Sequence, residues 1–343
     1  MTTNITPSLS FPPATYQKVD PNSYLLRHLS PTSGIHFSSR PSGRAVDEFR
    51  PPTIHTSSLS HAHGSAVVRT GDTAVVCGVR GEILTLHGGE KKVLRSGDGA
   101  GSGLGGSGAL KSYPLIVPNL ELNTGCAAAY HPGPPSDWAQ AMTQRIKSLL
   151  VDVVCPVDVD VLKIVQIGSG EEGEEDEEEI KAYWVLYVDT VMVSLDGNAF
   201  DAAWAAIIAA LNDTKLPVAR WDPDLGRVVC DPAQARSLGI SQFAFTSSFG
   251  IFTAPPGEEA GADTWILADP DDFEEGVCEE RILVVMKDEK TIAKIEKGGG
   301  QAGGSGVGTA LAGVKHLQKC VRMAGERWSI WNDLIKGKGK GKE

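Results

Sequence analysis

The sequence predicts an α+β or α/β fold in which two sheet-forming halves are each followed by amphipathic helices. Residues 183–195 are rich in β-branched and aromatic side chains and nearly free of charge, which is typical of a central strand covered on both faces. After a turn at 196–198, apolar residues recur every three or four positions over 200–211, and the alanines between them leave almost no polar face. This helix is therefore predicted to be buried on two sides. A second set of short strands and a last amphipathic helix complete the pattern.

The composition allows two domains or one large one. The chain has 343 residues, of which 41% are hydrophobic, enough for a sizeable core. Its six cysteines lie far apart without a CxxC pair, which argues against a disulfide framework and against a zinc ribbon. No stretch approaches the roughly 18 apolar residues of a membrane span, and the N-terminus lacks a signal-peptide pattern. We expect a soluble intracellular protein.

The net charge of −11 argues against strong binding of nucleic acid by this chain alone, because phosphate contacts need Lys and Arg. The run EEGEEDEEE at 171–179 contributes much of that charge, whereas the tail KGKGKGKE is basic. For the acidic run we favour a solvated hairpin tip over a partner-binding site.

The first half begins with an arm of about 15 residues that we expect to be disordered. Asp20 as N-cap and Pro21 at the first helical position then introduce a short helix over 22–29, whose leucines are predicted to dock on a neighbour. Strands follow at 54–60, 64–70 and 73–79, with a two-residue hairpin turn at 71–72. Residues 97–108 contain GSGLGG, but without a flanking strand and apolar helix they predict a flexible loop rather than a nucleotide site.

Ser136 is predicted to cap the next helix. The side chains expected on its buried face are Trp138, Met142, Ile146 and Leu149 or Leu150. The second half has strand candidates at 218–221, 228–230, 242–252, 264–268 and 282–286. A Gly-rich linker precedes the last helix, whose apolar stripe is Leu311, Val314, Leu317, Val321, Ala324, Trp328 and Trp331. We divide the chain into an arm with a short helix (1–30), a first half (31–215), a second half with the last helix (216–335) and a basic disordered tail (336–343).

Six segments, taken in their order along the chain, are typical of one protein family: RPSGRAVDEFR (40–50), GSAVVRTGDTAVVCGVRGEI (64–83), VPNLEL (117–122), HPGPPSDWAQAMTQRI (131–146), LDGNAFDAAWAAIIAAL (195–211) and ILADPDDFEE (266–275). Together they resemble the RNase PH family, and within it the non-catalytic ring subunits of the eukaryotic RNA exosome core, of the exosome component 8 type. The resemblance spans most of the chain.

The resemblance implies the RNase PH fold, with two βαβ-type halves of the ribosomal protein S5 domain 2-like kind. It implies a six-membered ring with other RNase PH-like exosome subunits, cap subunits and an associated nuclease as partners, and RNA as the substrate passing through the channel. We expect no membrane partner, because no apolar run is long enough to span one, and no cofactor. The expected location is the nucleus and nucleolus, and also the cytoplasm.

Phosphorolysis of RNA needs an anion site for phosphate next to a carboxylate. In the family's active members, the segment matching 266–297 carries separated aspartates before a strand and a Gly-Thr turn after it. This chain instead has Glu279 and Glu280 before the strand and KIEKGGG after it. Related inactive subunits often carry arginines where Ala129 and His131 stand here. That difference weakens phosphate contacts, and together with the altered acid positions and the missing Gly-Thr turn it leads us to expect no catalytic residue.

Two clusters raise the question of a metal site. His55 and the HAH run at 61–63 lack a carboxylate or Cys at compatible spacing, so we expect a turn there. The second cluster is acidic and could chelate Mg²⁺, although we favour a solvated acidic turn. Its members are Asp269, Asp271, Asp272, Glu274 and Glu275.

Two basic groups are candidate site residues. Arg40, Arg44, Glu48 and Arg50 match the family's RPDGR segment, although Ser42 replaces its Asp. A close Arg/Glu set is more often an ion-pair network at a subunit interface than a catalytic group, so we assign it a structural role. A further cluster offers candidate RNA contacts, with simple solvation as the alternative. It consists of Lys91, Lys92 and Arg95.

Three functions follow for testing. We favour a catalytically inert exosome subunit that scaffolds the ring and its RNA channel, supporting 3′-to-5′ RNA processing and degradation, including rRNA maturation. The alternatives are an active phosphorolytic 3′-to-5′ exoribonuclease and an adaptor that recruits factors through the acidic run and the lysine tail. If the first is right, the isolated chain should behave poorly, because the helix around Leu25 and Leu29 and an exposed strand edge would lack partners.

Overall fold

The computed structural model describes residues 12–30, 39–86, 115–128, 130–154, 156–167, 178–240, 242–254, 264–299 and 313–337. The strands are β1 Pro52–Thr56, β2 Gly64–Thr70, β3 Thr73–Thr85, β4 Ile116–Leu122, β5 Lys163–Ile167, β6 Glu178–Ser194, β7 Lys215–Asp222, β8 Arg227–Ser237, β9 Phe245–Thr253, β10 Thr264–Ala268, β11 Glu280–Met286 and β12 Ile292–Gly299. The helices are α1 Pro13–Val19, α2 Pro21–Leu29, α3 Asp137–Ser148, α4 Ala199–Asp213, α5 Asp272–Val277 and α6 Val314–Ile335. Short π-helical and 3₁₀ turns span Leu149–Val154 and Val159–Leu162.

The first sheet is built around β6. Its strand order is β1-β2-β3-β6-β4, and β5 also pairs with β6. β4 runs parallel to β6, whereas β3 and β5 pair with it antiparallel. Leu186, Val188 and Met192 of β6 are fully buried. The prediction of a central strand in this part of the chain is confirmed.

Helix α4 lies between the two sheets. It packs against β2 and β3 of the first sheet and against β9 of the second. Because apolar and alanine side chains surround the whole helix, nearly every one of its residues is buried. The prediction that this helix is buried on two sides is confirmed.

The second sheet has the antiparallel order β10-β9-β11-β12, and α6 covers it. The apolar stripe predicted for α6 is confirmed where Ala324 and Trp331 are buried, but Val314 is exposed at the first turn. Leu311, the first residue of that stripe, lies outside the described residues. β7 and β8 form a separate two-stranded ribbon. The sequence patterns missed β12, an exposed strand with alternating charges, and the short capped helix α5.

Helix α2 docks inside its own chain. Asp20 caps it by accepting a hydrogen bond from the Ser23 backbone N–H at 3.1 Å, as predicted. Its three leucines are fully buried in a cluster with Phe252 and Leu267. The prediction that these leucines dock on a neighbouring protein is therefore wrong, because periodicity identifies an apolar face but not the surface that covers it.

Two further expectations are corrected. Residues 13–15, assigned to a disordered arm, lie in α1. Trp138, predicted to face the core, is exposed, whereas Met142 and Ile146 of the same helix are buried as predicted. Ser136 caps α3 by accepting from the Ala139 N–H at 3.3 Å.

Several predictions fall outside the described residues. These are the Gly-rich segment 97–108, most of the acidic run 171–179 and the end of the basic tail at 338–343. The division into domains stays a prediction. No helix in the described ranges combines the length and hydrophobicity needed to cross a membrane.

Candidate functional site

A cleft of about 620 Å³ opens between α3, the start of α4 and the β11–β12 edge of the second sheet. One side of α3 faces the cleft and contributes Trp138, Met142 and Arg145 to its lining. The first half contributes the start of α4, and the second half contributes the residues around α5 and the end of β12. The cleft therefore lies where the two halves of the chain meet.

The turn before α4 forms one corner of the cleft. Gly197 has φ +68°, and a Cβ there would lie 2.4 Å from the Asp271 carbonyl carbon, so the close approach requires glycine. Asn198 also has a positive φ of 50°. Its side-chain Nδ2 donates to Asp201 Oδ2 at 2.9 Å and to Asp269 Oδ1 at 2.6 Å. The turn thus ties the first residues of α4 to the second half.

The Asp269 carboxylate accepts four hydrogen bonds at this corner, one from Asn198 and three from Arg50. Arg50 donates to it from its backbone N at 2.9 Å, from Nε at 2.9 Å and from Nη2 at 2.7 Å. Burial raises the pKa of Asp269, but the hydrogen bonds and charge of Arg50, helped by Asn198, outweigh burial and lower the pKa overall. Asp269 is therefore an ionised carboxylate whose oxygens already have partners.

Arg40 is fully buried beside it. Its Nη1 donates to Glu274 Oε2 at 3.2 Å and its Nη2 to the Val46 carbonyl at 2.8 Å, with a further bond to the Ala268 carbonyl. Burial lowers the pKa of Arg40 and raises that of Glu274, in each case against the attraction of the partner. The surrounding protein thus holds this pair in place despite the cost of removing both charges from water.

Arg44 and Glu48 complete the contacts of the segment at 40–50. Arg44 lies 3.6 Å from Glu274 and 3.7 Å from Asp269, measured from guanidinium nitrogen to carboxylate oxygen. Glu48 Oε2 accepts from the Ala45 backbone N–H at 2.9 Å. We call the set Arg40, Arg44, Arg50, Asp269 and Glu274 the junction network.

The junction network corrects one prediction. Asp269 and Glu274 were expected in a solvated acidic turn, and this is wrong because both side chains are buried and paired with arginines. No three metal-ligating side chains come together among the described residues to form the alternative Mg²⁺ site. The subunit-interface role assigned to Arg40, Arg44, Glu48 and Arg50 stays a prediction, and the contacts described above lie within the chain.

The cleft wall carries equal numbers of basic and acidic side chains. Three cations and three carboxylates line it: Arg145, Arg281 and Lys297, with Glu275, Glu279 and Glu296. Each cation has a carboxylate partner. Arg145 Nη2 donates to Glu296 at 2.6 Å, Arg281 lies 3.7 Å from Glu275, and Lys297 lies 3.4 Å from Glu280.

This wall is poorly suited to binding a phosphate. A phosphate site needs cations or N–H groups that no internal carboxylate occupies, and a hydroxyl after the glycine would add a donor. β12 ends at Gly298 and Gly299, and the residue that follows is again glycine. His131 is exposed, and Ala129 lies outside the described residues. Among the residues that the structure describes, each cation on this wall is already paired with a carboxylate, and no hydroxyl follows the glycines that end β12.

The remaining candidate residues lie elsewhere. Lys91, Lys92 and Arg95 lie outside the described residues, so their proposed RNA contacts stay a prediction. His63 Nδ1 accepts from the Gly81 backbone N–H at 3.0 Å. That bond gives it a structural partner.

Sequence reasoning missed Arg327. It extends from α6, donates to the Arg50 carbonyl at 2.8 Å and lies over the rings of Phe49 and Trp331 at 4.9 and 5.1 Å. Burial lowers its pKa to about 10. A signal was present in the sequence, because Arg327 interrupts the apolar stripe of the last helix at helical spacing.

Comparisons with known proteins agree on one family. The model of the 3′ exoribonuclease family, domain 1 (RNase PH), matches residues 48–217. The Schizosaccharomyces pombe protein named exosome complex component rrp43 is 34% identical, over 92% of this chain and 95% of its own length. The Methanothermobacter thermautotrophicus protein named exosome complex component Rrp42 is 29% identical, over 78% of this chain and 82% of its own.

Solved structures share the fold. A chain of an archaeal exosome core has a TM-score of 0.61 at 20% identity, covering 95% of this chain and 100% of its own. A chain of the Archaeoglobus fulgidus exosome with RNA bound to the active site has a TM-score of 0.60 at 22% identity, covering 91% and 96%. The predicted fold class is confirmed.

Proposed function

The chain belongs to the RNase PH family of 3′ exoribonucleases, and we propose that within it this protein is a non-catalytic structural subunit of an exosome core ring. The names of its relatives support membership of such a complex. The pairing of every cation on the cleft wall with a carboxylate of the same chain supports the lack of catalysis. An enzyme that uses phosphate as co-substrate needs cations there that no carboxylate of its own chain occupies.

In this proposal the subunit acts by holding surfaces in place. The junction network ties residues 40–50 of the first half to Asp269 and Glu274 of the second, and so links the two halves through buried ion pairs. Other RNase PH-like subunits complete a six-membered ring, cap subunits cover it, and an associated nuclease degrades or processes the RNA that passes through. This supports 3′-to-5′ RNA processing and turnover, including rRNA maturation.

Co-expression tests the proposal. The full-length chain is purified alone and together with candidate ring subunits, and the mass of each species is measured after size-exclusion chromatography. Each sample is then incubated with single-stranded RNA and inorganic phosphate, and nucleoside diphosphates are measured. We expect one stoichiometric ring and no phosphate-dependent product from the lone chain. A lone chain that forms its own ring and releases nucleoside diphosphates would be an active phosphorolytic exoribonuclease.

The location is a separate proposal. We propose that the protein works in the nucleus and nucleolus and also in the cytoplasm. Imaging of a tagged chain expressed at its natural level tests this, and exclusion from the nucleus would contradict it.

A further inference from the structure

Glu296 lines the cleft and contacts two cations, Arg145, which also lines the cleft, and Lys294. Its Oε2 accepts from Arg145 Nη2 at 2.6 Å and from Arg145 Nε at 3.2 Å. Its Oε1 lies 2.7 Å from Lys294 Nζ. Each carboxylate oxygen therefore binds a different cation, as two oxygens of a phosphate group would.

One of the two cations, Arg145, has a contact that does not involve Glu296. The Arg145 guanidinium lies over the Phe200 ring with its central carbon 4.6 Å from the ring centroid. Phe200 is itself buried in the first turn of α4, so the ring cannot move away easily. Stacking leaves the edge of the guanidinium, which carries its N–H donors, free to bind an anion.

Glu296 remains charged while it occupies this place. Burial raises its pKa, but the hydrogen bonds and charges of Lys294 and Arg145 outweigh burial and lower the pKa overall. At neutral pH the carboxylate therefore competes with any anion from solution, and its effective concentration is high because it belongs to the same chain.

We propose that Glu296 is an internal anion that occupies a phosphate-binding site formed by Arg145 and Lys294 and keeps that site closed. The ligand class is a phosphate group, supplied by inorganic phosphate or by RNA. The inference rests on the proposed function, because it gives a structural reason why the cleft of this subunit does not use phosphate.

The test compares two variants that remove the same charge from the same wall. Glu296→Gln frees Arg145 and Lys294, whereas Glu279→Gln removes a carboxylate of the cleft that has no described bond to either cation. Binding of inorganic phosphate to the full-length protein is measured by phosphorus NMR titration in chloride buffer. A short single-stranded RNA is titrated in parallel by fluorescence anisotropy.

We expect Glu296→Gln to bind at least one of the two ligands about tenfold more tightly than the wild type. The gain with Glu279→Gln should stay within about twofold, since long-range charge alone is weakly felt through water. The double variant Glu296→Gln/Arg145→Gln should lose the gain, and thermal unfolding confirms that all variants are folded. The ligand that gains affinity identifies the source of phosphate that the site accepts.

Equal affinities for Glu296→Gln and Glu279→Gln would overturn the inference, as would a gain that survives the loss of Arg145. Wild-type protein that already binds phosphate as tightly as Glu296→Gln would overturn it too. These outcomes are separate from those of the proposed function, which fails if the wild type assembles alone and degrades RNA with phosphate.

Discussion

Arg50 and Arg145 make similar ion pairs in different surroundings. The shortest Arg50–Asp269 distance is 2.7 Å and the shortest Arg145–Glu296 distance is 2.6 Å. The side chains of the first pair are 7% and 1% exposed, whereas those of the second are 46% and 27% exposed. The two ion pairs therefore have nearly equal distances, but the first is buried and the second is exposed to water.

The difference in burial gives the two ion pairs different roles. In the buried pair each partner depends on the other, because a lone charge there has no water to solvate it. In the exposed pair water and salt solvate either partner, so the contact contributes little stability. We infer that the buried pair holds the halves together, whereas the exposed pair mainly sets the charge of the cleft.

The largest expected effect tests the buried pair. Asp269→Asn keeps the shape and tolerates the positive φ of 52°, but it leaves the Arg50 charge without its carboxylate. We expect the free energy of unfolding to fall by about 3–5 kcal/mol, measured by urea denaturation.

The matched control is Asp72→Asn, since Asp72 forms an exposed pair with Arg69 at 3.4 Å. Its effect should stay below about 1 kcal/mol. Equal losses for the two variants would remove the distinction between the buried and exposed pairs.

The next effect extends the comparison to apolar side chains. Leu25→Ala removes a fully buried side chain of α2, and we expect it to cost about 2–5 kcal/mol in the lone chain. Leu225→Ala makes the same change at an exposed site and should have little effect. The measurement is again urea denaturation. If Leu25→Ala leaves the lone chain unchanged but weakens assembly, α2 docks on a neighbour after all.

A smaller effect appears in the pH dependence of stability. Because the pKa of Asp269 in the folded protein lies below the ordinary value of 3.8, its contribution to stability is fully present above that pH and is lost as the pH falls through the folded pKa. Asp269→Asn should therefore flatten the acid limb of a plot of unfolding free energy against pH.

Glu296 also has a lowered pKa, so the sign is the same for Glu296→Gln. The flattening should be weaker, because the exposed pair is screened by solvent. An equal or larger change with Glu296→Gln would contradict the contrast between the two pairs.

The smallest effect concerns the exposed pair itself. A double-mutant cycle with Arg145→Gln and Glu296→Gln should give a coupling below about 1 kcal/mol, measured by urea denaturation. The coupling should shrink further in about 1 M salt, where the screening length is only a few ångströms. A salt-independent coupling of several kcal/mol would show that Glu296 is a structural residue.

Much of the fold follows from local signals. Asp20 and Ser136 begin helices because their side chains satisfy backbone N–H groups a few residues away. β2 and β10 have the predicted bounds, and Gly71 has the positive φ that a tight hairpin turn needs. Each of these features depends on neighbours along the chain, which the sequence displays directly.

The candidate site was predicted less well, because it depends on residues distant in sequence. The acidic segment at 269–275 has the composition of a solvated turn, and only the arginines of residues 40–50, more than 200 positions away, explain its burial. The same applies to Arg145 and Glu296, which lie in different halves and carry no motif that links them.

The central strand, the buried helix α4 and the helix caps follow from local patterns, because periodicity and capping act over one or two turns of chain, and six ordered segments identify the family. Only contacts between distant segments show that Leu25 is covered by this chain, that Asp269 is buried and paired, and that Glu296 contacts both Arg145 and Lys294. The physical reason is that the energy of an apolar face or a charge depends on the surface that covers it, and packing between distant segments supplies that surface.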